Sequence, residues 1–417
     1  MKTCRVLIDG FNLRLTKGSG IKYYTISLIK AIEEKVDVSL LFDYPLKDIK
    51  NIQKVEFIEK YFKGNVDYNK YIAYLKLLKR AIKSPNAMKI KLDNDSIYEK
   101  EHLYLNNKTI ININNIFTLN EIYAKFNLGL NIENTNNVDI FHATYMLNIN
   151  VKRAKKITTI HDLIPLKLPY TTLDNKKIFY NKIKHAIKTS DKIITISESA
   201  KNDILNNFDI KEENVINCYQ PYFLPKDLME YSFNTKKFEL AKNDYFLFVG
   251  NIEPKKNIGR VIQAYLNLDT PKKLVIVGKK AWLWEELLKG TQKAIKQNKI
   301  VLLDYVTRED LIALYQNAFG FVFPSLYEGF GLPPLEAMAC KCPVITSNIS
   351  SLPEVCGDAA IYCDAYSIIS IQTAMEKLLN LSQNERDRLI QEGLKRVEFF
   401  NTNDYSKKVL EVYESVL

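Results

Sequence analysis

Phe323-Pro-Ser-Leu-Tyr-Glu328-Gly-Phe-Gly-Leu-Pro-Pro-Leu-Glu336-Ala-Met-Ala339 is the stretch that decides how this chain folds and what it binds. Gly320 to Phe323 is an apolar run of the kind that makes a buried strand. Gly329 and Gly331 then make a turn, and Pro333 and Pro334 suit the first turn of a helix, where a backbone N–H has no partner in any case. A strand, a glycine turn and a helix in that order leave free N–H groups and the positive end of a helix facing one point, which is a place for phosphate. Glu328 lies before the glycines and Glu336 about one turn into the helix. A carboxylate accepts paired hydrogen bonds from vicinal hydroxyls, such as those of a ribose or a hexose.

Outward from this stretch the pattern repeats. Tyr245–Val249, Leu274–Val277, Ile300–Leu303, Val344–Thr346 and Ala360–Cys363 read as further buried strands separated by helical periodicity. Thr307 caps one of those helices, with Asp310 at the capping-box position. An earlier series comprises Arg5–Asp9, Val38–Phe42, Val138–Phe141, Ile157–Ile160 and Lys192–Ile196, and Ser197 caps the helix after the last of these. Ile21, Tyr24, Leu28, Ile29 and Ile32 mark one helix face. Strands alternating with helices imply parallel pairing. The expected architecture is two doubly wound α/β domains facing across a cleft, with ligands beyond the strands' carboxyl ends. Residues 1–224 form the first domain and 225–244, after the Pro-rich Tyr219–Pro225 stretch, the linker. Residues 245–400 form the second domain, and 401–417 a helix that returns to the first. The Asn-rich residues 84–135 read as an irregular insertion with weak strands and a short helix.

The chain has 417 residues, beyond the size of one hydrophobic core, with 47% hydrophobic and 26% charged residues. Its net charge of +11 is one-sided: residues 1–224 hold 35 Lys+Arg against 24 Asp+Glu, and the rest is balanced. That asymmetry fits an anionic partner, and Lys-rich coding bias explains the total equally well. Two basic segments, 70–83 and 176–188, carry apolar residues at helical spacing. Each can lie on an anionic membrane surface, or turn its stripe to the core. Cys4, Cys218, Cys340, Cys342, Cys356 and Cys363 form no C-x-x-C pair, and four histidines are present, so a zinc site is not expected. The opening Arg5–Asp9 run reads as a strand and not as a secretion signal. A cytoplasmic enzyme is expected, with peripheral contact to the inner face of the membrane through the basic half.

The Glu-x7-Glu stretch resembles the retaining glycosyltransferases of the GT-B architecture, the group 1 or family four type. Cys342-Pro-Val-Ile-Thr-Ser-Asn-Ile-Ser-Ser-Leu-Pro-Glu354 and Phe248-Val-Gly-Asn-Ile-Glu253-Pro-Lys-Lys256-Asn257 extend the resemblance. In the first half it is patchier: Gly18-Ser-Gly20, Asp139-Ile-Phe-His142 and Thr159-Ile-His161-Asp162-Leu-Ile-Pro. The resemblance implies that Glu336 holds the nucleotide ribose and Glu328 contacts the donor sugar. It also implies that the N–H groups of Phe330, Gly331 and Leu332 meet sugar or phosphate. Lys256 would neutralise the diphosphate leaving group, and His161 would hydrogen-bond a sugar hydroxyl. Gly18, Gly20 and Gly250 would allow close approach of the donor. The family often has an Arg shortly after the residue that Gly250 matches; here Asn251 follows, so Lys255 or Lys279 is left to supply the missing cation.

The expected reaction is transfer of a hexose, first mannose from GDP-mannose, to a glycan or lipid-linked saccharide of a surface polysaccharide. A UDP- or dTDP-sugar is the next choice. The nucleotide-sugar is a co-substrate, and with no Asp-x-Asp near these motifs no metal or other cofactor is expected. Two other readings stay open: a nucleotide-sugar epimerase, which would need a paired acid and base, and a non-enzymatic anionic-polymer binder. Nucleic acid is not an expected partner, because no reader module is present and the charge avoids the half with the motifs.

Overall fold

The computed structural model describes residues 4–14, 20–43, 88–91, 104–134, 136–222, 235–304 and 306–417. Gly18, the basic segment 70–83 and residues 225–234 of the expected linker lie outside them. Sixteen strands are described, labelled β1–β16, of which fourteen make two large sheets.

The N-terminal sheet runs β10-β9-β8-β6-β1-β2-β4-β3. Its members are β1 (Arg5–Asp9), β2 (Asp37–Phe42), β3 (Met88–Lys91), β4 (Thr109–Asn112), β6 (Ile140–Ala143), β8 (Lys155–Ile160), β9 (Lys192–Thr195) and β10 (Val215–Asn217). Pairing is parallel except at the edge, where β3 runs antiparallel to β4. β5 (Leu130–Ile132) and β7 (Ile149–Val151) form a small parallel pair beside it. The C-terminal sheet runs β13-β12-β11-β14-β15-β16 and is parallel throughout. Its strands are β11 (Tyr245–Val249), β12 (Lys273–Val277), β13 (Ile300–Leu303), β14 (Gly320–Phe323), β15 (Val344–Ser347) and β16 (Ala360–Cys363). Counted from β11 the order is 3-2-1-4-5-6, the doubly wound arrangement. Its direction reverses between β11 and β14, so the crevice for a ligand opens above the ends of those two strands. Tyr245, Phe246, Leu247 and Phe248 are all fully buried, as a strand covered by helices on both faces requires.

The Asn-rich region has the short strands and the short helix expected of it, but not as an irregular insertion. Within it, Thr109–Asn112 is an inner strand of the main sheet and Ile116–Lys125 a helix packed on it, so this part is integral and not inserted. The asparagines disguise it because they serve the turns and the core. Asn107, Asn115 and Asn127 sit at positive φ between 56° and 59°, which Asn tolerates better than most side chains. Asn120 is fully buried, and its Oδ1 accepts from the Asn148 N–H at 2.7 Å.

The helix Thr402–Glu414 lies against the N-terminal domain. Its Ser406 hydroxyl donates to the Ala31 carbonyl at 2.5 Å, and Tyr413 Oη lies 2.7 Å from His142 Nδ1. The helix Lys176–Thr189 buries Phe179, Ile183 and Ala186 and pairs Lys182 with Glu121 at 2.8 Å. Its apolar stripe therefore faces its own domain, and Lys177, Lys184 and Lys188 remain exposed.

Candidate active site

The loop after β11 begins at Gly250, whose φ of +153° suits glycine, and passes through a short turn at Pro254–Lys256. It is tied to its neighbours at several points. The Leu326 N–H donates to the Lys255 carbonyl at 2.8 Å. Asn257 Nδ2 donates to the carbonyls of Pro324, at 2.9 Å, and Ala365, at 2.6 Å. Gly278, at the end of β12, packs so closely that an added Cβ would lie 2.0 Å from the Gly250 oxygen.

The loop after β14 is held from the other side. The Ser351 hydroxyl lies 2.9 Å from the Glu328 carbonyl and 2.6 Å from that of Phe330, and the Glu328 N–H donates to Ser350 Oγ at 3.1 Å. Gly331, at φ +118°, then turns the chain into the helix Leu332–Ala339. Leu332 is its first residue and Pro333 and Pro334 follow, so the opening turn has few N–H groups and those of Gly331 and Leu332 have no intrahelical acceptor. Between the loops Lys256 Nζ donates to Glu328 Oε1 at 2.6 Å, with both side chains nearly buried. Glu336 is bound on both oxygens: Arg308 Nη1 donates to Oε1 at 2.5 Å and Tyr315 Oη to Oε2 at 3.2 Å.

The N-terminal domain closes the site. A Cβ at Gly329 would fall 2.7 Å from the His161 carbonyl oxygen, so the two domains meet there without room for a side chain. The Ser197 hydroxyl donates to the Gly329 carbonyl at 2.6 Å. The Glu354 carboxylate accepts from the N–H groups of Glu198 and Ser199, at 2.8 and 2.9 Å, capping the helix Glu198–Asn207 across the domain boundary. Tyr327 also bonds Asp203. A cavity of about 170 Å³ lies in the cleft, with Ile21, Tyr145, His161, Asp162 and Lys255 among its walls. A larger cavity, about 840 Å³, sits behind the Pro254–Asn257 turn and holds none of the residues singled out from the sequence as site residues.

His161 Nε2 lies 2.9 Å from the Thr144 carbonyl oxygen, which can only accept, so Nε2 carries the proton. Burial pushes the imidazole down to about 4, which leaves it neutral at pH 7 with Nδ1 as an acceptor. Burial raises the Asp162 carboxyl. For Lys255, burial works to lower the ammonium, but Glu328, Glu253 and Asp162 outweigh it and hold the charge.

The family described as Glycosyl transferases group 1 matches residues 232–396. O-antigen chain mannosyltransferase B of Escherichia coli is 32% identical over 270 residues, covering 62% of this chain and 69% of that protein. The chain belongs to the group 1 glycosyl transferases. Serotype-specific mannosyltransferase WbdA of Escherichia coli is 34% identical over 233 residues, 52% of this chain but 28% of its own length. Sucrose-phosphate synthase from Thermosynechococcus elongatus superposes with a TM-score of 0.67 at 14% identity, over 99% of both chains, and shows the shared GT-B fold. The chain is a glycosyltransferase, and that decides against the epimerase and the polymer-binding readings.

In this glycosyltransferase the structure gathers Gly250, Lys255, Lys256, Glu328, Phe330, Gly331, Leu332 and Glu336 around the β11/β14 crevice, with His161 facing them. Asn251 is exposed beside the crevice. Gly20 opens the helix Gly20–Ile32, and a Cβ there would touch nothing within 4 Å, so the protein's own packing does not require glycine at that position. Arg308, Tyr315, Ser351 and Gly278 were not foreseen. The Thr307 cap placed Arg308 at a helix start, but nothing local aimed it at Glu336, 28 residues on.

His142 gives the glycosyltransferase a testable acid response. Its Nε2 lies 2.9 Å from Thr159 Oγ1 and its Nδ1 holds Tyr413, and burial pushes it down to about 3, with the charge of His161 acting the same way. Between pH 6.5 and 3 the unfolded chain binds this proton and the native one does not, so stability falls as pH drops through that window. Asp9 opposes it: burial raises its carboxyl to about 6, so between pH 6 and 3.8 the native state takes the extra proton. His142→Gln should reduce the acid loss by up to ~1.4 kcal/mol per pH unit, one proton's worth. Chemical unfolding at pH 4.5, 5.5, 6.5 and 7.5 checks it; an unchanged slope would mean that His142 is protonated in the native state.

Proposed function

We propose that this glycosyltransferase moves mannose from GDP-mannose to a glycan or lipid-linked saccharide of a surface polysaccharide, with retention at the anomeric carbon. The observation that carries the reading is the pairing of Lys256 with Glu328 beside the open end of the helix Leu332–Ala339, with Glu336 one turn inside. Relatives named as O-antigen chain and serotype-specific mannosyltransferases support the sugar and the acceptor class.

Glu336 accepts from the ribose hydroxyls and Glu328 from the sugar. Lys256 and the N–H groups of Gly331 and Leu332 meet the diphosphate, and His161 Nδ1 accepts from a sugar hydroxyl. An acceptor oxygen attacks the anomeric carbon on the face from which the phosphate departs. The C–O bond to phosphate breaks as the new glycosidic bond forms, and a phosphate oxygen takes the acceptor's proton. A glycosidase-like route would need a free carboxylate at that carbon. The engagement of Glu328 by Lys256 and the raised Asp162 carboxyl favour the same-face course. Lys256, Lys255 and the helix end balance the leaving charge, so a metal is not required.

Thermal unfolding with GDP, UDP and dTDP tests the donor site. GDP at ~100 times its Kd should add ~2.7 kcal/mol of apparent stability and outrank the other two, undiminished by EDTA. Glu336→Ala should weaken the response at least tenfold in Kd. If no nucleotide raises the melting temperature, the donor-site reading fails; if UDP or dTDP outranks GDP, the mannose assignment fails alone.

A further inference from the structure

The two partners of Glu336 come from one helix. Arg308 and Tyr315 are seven residues apart on Arg308–Asn317, hence on one face, and each takes a different oxygen of the carboxylate. The helix is fixed at its start by Thr307, whose hydroxyl accepts from the Asp310 N–H at 3.2 Å, and Asp310 also holds Lys237. Tyr315 is buried at 1% exposure, so its hydroxyl cannot wander.

A carboxylate offers about four acceptor positions, two on each oxygen. Arg308 and Tyr315 occupy one on each. What remains is one acceptor position per oxygen, the number that a vicinal pair of ribose hydroxyls needs. Arg308 is 39% exposed and Glu336 15%, so the pair sits at the rim, where an ion pair adds little to stability. Its effect is geometric: a glutamate has three free torsions, and two fixed donors hold it in one orientation before the nucleotide arrives.

We infer that Arg308 is a positioning residue for donor recognition, orienting Glu336 so that the site distinguishes ribonucleotides from 2′-deoxyribonucleotides. The inference rests on the reading of Glu336 as the ribose acceptor. It deepens that reading by naming what makes the carboxylate selective, and it sets the site against a deoxyribonucleotide-linked donor such as a dTDP-sugar.

Calorimetric titration of the full chain with GDP, 2′-deoxy-GDP, UDP and 2′-deoxy-UDP tests it. The wild type should prefer the ribonucleotide by about 10- to 100-fold, the value of one hydrogen bond to a charged group. Arg308→Ala should reduce that ratio to about threefold or less. Tyr315→Phe, which keeps the buried ring, should reduce it by a smaller factor and serves if the arginine variant does not fold. A ratio preserved in both variants while overall affinity falls would overturn the inference, since Arg308 would then act on the base or phosphate directly. A wild type without preference, for either base, would overturn the ribose reading of Glu336 and the inference with it; a wild type with preference leaves only Arg308 at stake.

Discussion

Lys256→Ala should lower kcat/KM by about 10²–10³-fold, most of it in kcat, the scale on which removing one preorganised charge from a developing anion is felt. The side chain is held in place along its whole length. Its methylenes run over Gly250, with Cγ and Cδ 3.7 Å from where a Cβ would stand, and its ammonium is 5.0 Å from the centre of the Phe323 ring and 2.6 Å from Glu328. The cost of reorganisation has therefore been met before the donor binds. Lys256→Arg should recover part of the rate, because a guanidinium keeps the charge but not the compact fit over the glycine. Initial rates of transfer from GDP-mannose, with thermal unfolding as a control on folding, check it. A loss below about threefold would remove Lys256 from the leaving-group site and pass that role to Lys255.

Most of what places this site could be read from the chain because its causes are local. The continuous apolar run Tyr245–Val249, rich in aromatic residues and followed by a glycine, suits a strand buried on both faces, and the turn from Phe323 to the helix at Leu332 is written in two glycines and two prolines. What escaped depends on partners distant in sequence. Glu354 reads as a helix-start residue in its own segment; that it caps the helix Glu198–Asn207 in the other domain, 156 positions away from Glu198, follows only once the chain between them has folded. Arg308 looks like an exposed first-turn residue. β4 was concealed because asparagine reports turns in general, while here Asn112 and Asn120 are buried in the first domain. The helix Lys176–Thr189 shows the opposite ambiguity: apolar periodicity fixes that one face is covered, not whether lipid or protein covers it.

Gly278 and Gly250 look alike in sequence, each ending a strand, yet their replacement should have different consequences. Gly278→Ala should destabilise the C-terminal domain by more than ~4 kcal/mol or prevent its folding, the range in which named steric failures lie. Its φ is +155°, and the new methyl would meet the Gly250 carbonyl oxygen at 2.0 Å and its carbon at 2.6 Å, both backbone atoms. They cannot retreat, because the two loops are joined on both sides of the contact. The Gly250 N–H donates to the Val277 carbonyl at 2.9 Å and the Ile252 N–H to that of Lys279 at 2.8 Å. Gly250→Ala has a nearly equal φ of +153°, but its methyl would find only the Lys256 chain, at 3.7–3.8 Å. That variant should lose ~1–3 kcal/mol to backbone strain. It should still fold, and because those distances are ordinary van der Waals contact Lys256 can keep its place, so kcat should fall far less than in Lys256→Ala. Thermal unfolding and transfer rates on the two variants separate the cases. A stable Gly278→Ala would show that the β11 and β12 loops can move apart, and Lys256 would then owe its position to Glu328 and Phe323 alone.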